Sequence, residues 1–318
     1  MKKFVFVFCV LIVAMATVFA QGSKETSAAK IKVGIANCSV DEFFVSVDIA
    51  LKEAAKSKGY EVVASYSAEY DVQKQLEQVT TLKTLGVDLI VGSIVDTNNA
   101  EAIFEAASGV PQIWVSRHPD TKVLEKYDYV WFVGSTEKDA GLLQGKFLAD
   151  YFKDSGKTTI NYVLFMGPLG LENANMRTAG AKEALTAAGY TIKATLEDTA
   201  NWERTVAMSK MDQIISSGKA FDCVICNNDE MALGAIEAMK AAGKLKGIPV
   251  VGVDATAAGT TSIKNGEMAM TVLQNGKGMA VAAFENAVKI LAGEGSSIPK
   301  ETWIPFEAVT IGNVEKYM

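Results

Sequence analysis

From Ile31 onward, short apolar runs of β character alternate with stretches whose apolar residues recur every three to four positions. Residues 31–36 read as a strand, Val47, Ala50, Leu51 and Ala54 as a helical stripe stopped by Gly59, and residues 61–64 as the next strand. Val72, Leu76, Val79 and Leu82 form a second stripe that ends at Gly86, before a buried strand at 88–91. Strand, helix, strand, helix commits the chain to parallel sheets with helices on both faces, because parallel neighbours need a long crossover. The second half repeats the grammar, with strands at 160–165, 190–196, 221–226, 248–253 and 270–273 and helices at 173–188, 203–217 and 230–242. Two short segments echo each other across the halves. Lys58-Gly59-Tyr60-Glu61-Val62 matches Ala188-Gly189-Tyr190-Thr191-Ile192, and Gly109-Val110-Pro111 matches Gly247-Ile248-Pro249. With 318 residues available, two similar doubly wound α/β domains are expected, with ligands at the carboxyl ends of their strands.

The first thirty residues break this pattern. Met1-Lys2-Lys3 precedes an apolar run from Phe4 to Ala16, and Val18-Phe19-Ala20 leads into polar Gln21-Gly22-Ser23. This is the layout of a secretory signal peptide cut after Ala20, followed by a flexible segment at 21–30; the alternative is an N-terminal membrane anchor. Cys9 lies within the apolar run behind bulky Phe8, which disfavours a lipidation site. The expected working protein is exported.

Composition excludes several functions. A formal charge of −6 offers no basic excess to replace phosphate counterions, so no nucleic-acid partner is expected. The single histidine, His118, removes any His-rich metal site, and it reads as a polar rim residue after the strand at 112–115. Cys223 and Cys226 occupy one strand, where residues three apart lie ~10 Å apart on opposite faces; both read as core, not a disulfide. Gly156-Lys157-Thr158 mimics the end of a phosphate loop, but Tyr151 stands where its first glycine belongs and the segment precedes a strand instead of following one. The chain has no G-x-S-x-G elbow and no H-E-x-x-H pair, so no catalytic residue, metal or cofactor is assigned and no enzyme is expected.

What remains is a set of polar and aromatic residues at strand ends. Asp41-Glu42-Phe43-Phe44 follows the first strand, Ser116-Arg117 the strand at 112–115, Asn227-Asn228-Asp229 the strand at 221–226, Asp254 the strand at 248–253 and Gln274 the strand at 270–273. Asn173 and Arg177 share a helical face at i, i+4, and Trp202 sits in a loop. Carboxylates and amides hydrogen-bond hydroxyls, arginine supplies planar donor forks, and an aromatic face covers the C–H side of a sugar. Each residue also has a plainer reading: Phe43 or Phe44 as core, Asp229 as a helix N-cap, Asp254 as a helix cap, Arg177 as a surface ion pair. In the binding reading, Arg177→Ala and Asp254→Ala cost affinity and spare the fold. Trp114, Trp131 and Trp303 fall in strand patterns and are expected to be buried.

Tyr127-Asp128-Tyr129-Val130-Trp131-Phe132-Val133-Gly134, Asp198-Thr199-Ala200-Asn201-Trp202, Asn227-Asn228-Asp229-Glu230-Met231-Ala232-Leu233-Gly234-Ala235 and Gly252-Val253-Asp254-Ala255 resemble the periplasmic sugar-binding proteins of the ribose/galactose type, the galactose/glucose branch most of all. The resemblance implies a type I periplasmic binding protein fold, two doubly wound parallel-sheet domains joined by a three-strand hinge. One lobe would take residues 31–134 and about 276–305, the other 135–275 and about 306–318. It further implies a monomer in the periplasm that captures a monosaccharide, a galactose- or glucose-like hexose, in the interdomain cleft. The sugar then passes to the membrane permease of an ABC importer, and a chemoreceptor is a further partner. Phe44 and Trp202 match the stacking aromatics; Ser116, Arg117, Asn173, Arg177, Asn228, Asp254 and Gln274 match the hydrogen-bonding set, and the acid after the first strand is Asp41 or Glu42. The chain departs from the galactose/glucose pattern at Cys38, Ser116 and Leu171, which replace a tyrosine, an asparagine and a histidine, and residues 153–158 lack the alternating oxygens of its calcium loop. A pentose, a furanose or another polyol is the alternative ligand, and a sugar sensor without transport the alternative role.

Overall fold

A computed structural model describes residues 30–318, so the apolar leader, Cys9 and the cleavage point after Ala20 lie outside the described residues. In chain order the strands are β1 (Lys32–Asn37), β2 (Glu61–Ser67), β3 (Leu89–Gly92), β4 (Gln112–Ser116), β5 (Val130–Gly134), β6 (Thr159–Met166), β7 (Thr191–Thr199), β8 (Cys223–Cys226), β9 (Val250–Val251), β10 (Met270–Leu273), β11 (Glu301–Trp303) and β12 (Glu307–Thr310). The helices are α1 (Glu42–Ser57), α2 (Val72–Thr84), α3 (Ala100–Ala106), α4 (Thr121–Leu124), α5 (Glu137–Phe152), α6 (Glu172–Ala187), α7 (Arg204–Ser216), α8 (Asp229–Ala241), α9 (Ala257–Lys264) and α10 (Gly276–Leu291).

The strands form two six-stranded sheets, ordered β11-β5-β4-β3-β1-β2 and β12-β10-β9-β8-β6-β7. Every pairing is parallel except β10 with β12. Each sheet reverses direction once, between β1 and β3 in the first lobe and between β6 and β8 in the second, which opens a crevice at the carboxyl ends of the strands. The sequence echoes fall at equivalent places. Gly59 and Gly189 turn the chain into β2 and β7, while Gly109 and Gly247 turn it towards β4 and β9.

Burial follows the pleat. Val33, Ile35, Leu89 and Val91 pack on one face of the first sheet, and Ala36, Ile90, Trp114 and Phe132 on the other. The second lobe divides likewise, with Val163, Phe165, Val224 and Cys226 on one face and Leu164, Cys223, Ile225 and Val251 on the other. Cys223 and Cys226 are thus free, buried and on opposite faces.

The chain crosses between lobes three times, after β5, after β10 and between β11 and β12. Two crossings are stitched together: Ile304 N donates to Gly134 O at 2.7 Å and Ser135 Oγ to Ile304 O at 2.7 Å.

Two expectations need correction. Trp303 is not buried: it is 45% exposed, because β11 is a three-residue strand at the edge of its sheet. The strand expected at 248–253 pairs continuously only over Val250–Val251, because the backbone turns into the left-handed region at Asp254 (φ 125°) and leaves that residue a single isolated bridge to Leu273.

Candidate functional site

Between the lobes lies a cavity with about 310 Å³ of atom-free space, partly open to solvent. Its lining combines Asp41, Phe43, Phe44, Tyr70, Ser116 and Arg117 from the first lobe with Asn173, Arg177, Trp202, Asn228, Asp254 and Gln274 from the second lobe and its exit strand. Ten of the eleven residues singled out from sequence meet here, and Glu42 does not.

The backbone marks the same place. Among the described residues, seven non-glycine positions have positive φ: Glu69, Tyr70, Ser116, Asn201, Trp202, Asp254 and Ala255. Tyr70, Ser116, Trp202 and Asp254 line the cavity and the other three are their chain neighbours. Such conformations cost about 1–3 kcal/mol each and persist where surrounding structure holds them for a function. Tyr70, Trp202 and Asp254 follow the ends of β2, β7 and β9, and Ser116 is the last residue of β4.

On the first lobe, Asp41 caps α1 through its Oδ1, which accepts from Phe44 N at 3.0 Å, and its Oδ2 accepts from the Tyr70 hydroxyl at 2.5 Å. Burial, reinforced by the Asp41 charge, holds the Tyr70 hydroxyl protonated far above its usual range. Arg117 lies over two rings, its guanidinium carbon 5.5 Å from the Phe44 centroid and 5.1 Å from that of Tyr70. One of its terminal nitrogens is tied to Val95 O, while Nε is buried without a protein partner. Sequence reasoning missed Tyr70, yet it follows β2 as directly as the chosen residues follow their own strands.

In the second lobe, Arg177 is 3% exposed and held on three sides. Its Nε donates to Glu137 Oε2 at 2.6 Å, Nη1 to Asn227 O at 2.8 Å and Nη2 to Gln274 Oε1 at 3.1 Å. The surface-pair reading of Arg177 is therefore wrong. A side chain at Gly141 of α5 would collide with the Arg177 carbonyl, so glycine lets α5 and α6 approach closely enough to bring Glu137 to the guanidinium. Gly167 works similarly for Trp202, whose indole occupies the space a Cβ there would fill. Trp202 is 6% exposed with Nε1 unpartnered, and Arg177 lies 5.8 Å from its ring centroid.

Asn228, not Asp229, caps α8: its Oδ1 accepts from Met231 N at 3.0 Å, and its Nδ2 donates to Trp202 O at 3.3 Å. Asp229 lies one residue inside the helix, fully buried, accepting from Thr271 Oγ1 at 2.6 Å and from Thr256 N at 2.9 Å. Nor does Asp254 cap α9, since Thr256 Oγ1 accepts from Gly259 N at 3.0 Å. That frees the Asp254 carboxylate. Among the described residues it accepts no hydrogen bond, and its nearest cation is Arg177 at 3.8 Å. Gln274 closes the ring from the exit strand, donating to Ser116 Oγ at 3.1 Å, while Asn173 Oδ1 accepts from Ala174 N at 3.0 Å. His118 is elsewhere, its Nε2 2.8 Å from Glu301 Oε1.

Burial has an electrostatic consequence. It raises Asp229 to about 7 and Glu172 to about 7, the latter helped by Glu137, and it lifts Asp254 well above the carboxylate range. These acids keep protons in the folded state that the unfolded chain releases near pH 4, so stability is expected to fall as pH rises from 5 to 8. Asp229, the most fully enclosed by the protein itself, contributes about 2–3 kcal/mol of that fall. Urea unfolding at the two pH values checks it: Asp229→Asn should flatten the slope, and an equally steep slope in that variant refutes the assignment.

The sequence profile of the periplasmic binding protein domain matches residues 33–295. A protein from Rhizobium meliloti provisionally named as rhizopine-binding is 36% identical over 254 residues, 78% of this chain and 79% of its own length. A D-galactose/methyl-galactoside binding periplasmic protein from Haemophilus influenzae is 32% identical over 286 residues, 86% of each chain. Among solved structures, an ABC transporter solute binding protein from Bacillus halodurans with bound myo-inositol superposes with a TM-score of 0.81 at 34% identity, covering 92% of this chain and 99% of its own.

Proposed function

The chain belongs to the periplasmic binding protein family, and from that membership we propose that it captures one neutral ring polyol, a monosaccharide or cyclitol, between its lobes in the periplasm and delivers it to the membrane permease of an ABC importer. The observation that carries this reading is the cavity itself, lined by two carboxylates, two guanidinium groups and three amides together with the rings of Phe44 and Trp202. Asp41 and Asp254 balance Arg117 and Arg177 in formal charge, which suits a ligand without charge. The polar groups suit hydroxyls around a ring edge and the aromatic faces suit its C–H surfaces.

The galactose-like hexose read from sequence is a narrower expectation within this class. Leu171 is packed into the second lobe's core, so the polar contact a histidine would supply there is missing. Relatives and neighbours are named for D-galactose, xylitol and D-ribose/D-allose, or were solved with myo-inositol. Six-membered rings carrying several hydroxyls, D-galactose and myo-inositol first, are the probes this site favours.

A thermal-shift screen of purified protein against monosaccharides and cyclitols tests the reading. A ligand at a hundred times its Kd stabilises by about 2.7 kcal/mol, which moves Tm by several degrees. Trp202→Ala is expected to cost about 1–3 kcal/mol of affinity. Trp114, Trp131 and Trp303 lie outside the cavity lining, so Trp202 should carry the fluorescence response. No shift with any polyol rejects the proposal, and conversion of a bound sugar to product rejects capture without chemistry.

A further inference from the structure

Glu42, set aside by the cavity, makes a different contact. It is the first residue of α1, directly after the cap Asp41, and its Oε1 accepts from the backbone N–H of Ala258 at 3.1 Å, 216 positions further along the chain. Ala258 is the second residue of α9 in the opposite lobe. The leading N–H groups of a helix have no partner within it, and the side chain of the cap Thr256 serves only Gly259 N. Among the described residues, this is the one side-chain hydrogen bond that joins the lobes away from the three crossings. The Glu42 charge also reaches Arg204 on α7 and Asp229 at the start of α8, both in the second lobe.

We propose that Glu42 is a closure latch: it touches no ligand, and by capping α9 from across the cleft it favours the closed arrangement and so sets affinity for whatever the cavity holds. The geometry divides neighbouring acids between two tasks. Asp41 turns into the cavity, while Glu42 reaches past it to the other lobe. The Ala258 N–H lies at the positive end of a helix dipole, so a carboxylate there is favoured over a neutral acceptor. Opening the lobes must break this bond, whereas hydrogen bonds inside each lobe can persist. Ligand enters the open cleft and the lobes then close over it, so the latch adds the same increment to every closed complex and changes every affinity by the same factor.

The inference rests on the polyol reading for its affinity arm, and one further measurement separates the two. D-galactose, myo-inositol and D-ribose are titrated into wild type, Glu42→Gln and Glu42→Ala. Glu42→Ala should weaken every probe that binds wild type by one common factor of about fivefold to tenfold, seen as faster dissociation with unchanged association; Glu42→Gln should fall between. In parallel, amide exchange is followed by NMR without any sugar. The Ala258 amide should exchange faster in Glu42→Ala, while Gly259, capped by Thr256, should not change. Unequal factors among the probes would make Glu42 a ligand contact and overturn the latch, as would unaltered exchange at Ala258. If wild type binds none of the three, the polyol reading is at fault and the exchange comparison alone decides the latch.

Discussion

Arg177→Ala is expected to lower folding stability by about 3–5 kcal/mol, the scale of breaking a buried ion pair from one side. The guanidinium is almost wholly enclosed and donates to Glu137, to the Asn227 carbonyl and to Gln274. Its removal strands Glu137, which is 2% exposed and whose second carboxylate oxygen already has no partner. Affinity for any cavity ligand should fall as well, since Gln274 loses the bond that fixes its carbonyl. The expectation from sequence that this substitution spares the fold is thus corrected. Urea unfolding of the ligand-free protein decides the matter, and a loss under about 1 kcal/mol contradicts it. Replacing both partners, Arg177→Met with Glu137→Leu, should recover most of the stability, because no buried charge is then left alone.

Arg177 also shows where sequence reading stops. Its i, i+4 relation to Asn173 places both on one face of α6, as the structure has it, but Glu137 lies 40 residues earlier on another helix and no local pattern links them. Alternation of periods made the two parallel sheets legible, and the paired glycine turns before β2 and β7 and before β4 and β9 mark the internal similarity. Strand ends located most of the cavity, because in a doubly wound sheet the side chains there converge on one crevice. Tyr70 obeys the same rule but is hard to single out, because Glu69-Tyr70 resembles an ordinary polar turn and its positive φ is visible only in three dimensions. At the start of α8 the sequence reading exchanges the cap and the buried acid beside it, since Asn228 and Asp229 are both competent caps and only the direction of the helix chooses between them. The same holds for Asp41 and Glu42: one is the extended cap and the other the first helical residue, so one meets the cavity and the other the opposite lobe.

Asp254→Ala is expected to reverse the balance seen for Arg177, weakening polyol binding by about 2–5 kcal/mol while leaving folding stability level or higher. The carboxylate sits 7% exposed on a residue with φ 125°, a conformation that fits neither aspartate nor alanine well, so its backbone strain survives the substitution and does not enter the comparison. What changes is the side chain. Thr256 and Thr271 serve Asp229 and leave Asp254 without a donor of its own, and Arg177 stands 3.8 Å away already engaged by Glu137. Burial accordingly raises its carboxyl well above the usual carboxylate range, and the protein by itself serves the group poorly. Hydroxyls of a bound ring would supply the missing donors, which the carboxylate accepts as charge-assisted bonds. Equal affinity in wild type and Asp254→Ala would show that the ligand does not use this carboxylate, and a large loss of stability in Asp254→Ala would show that the protein, not the ligand, satisfies it.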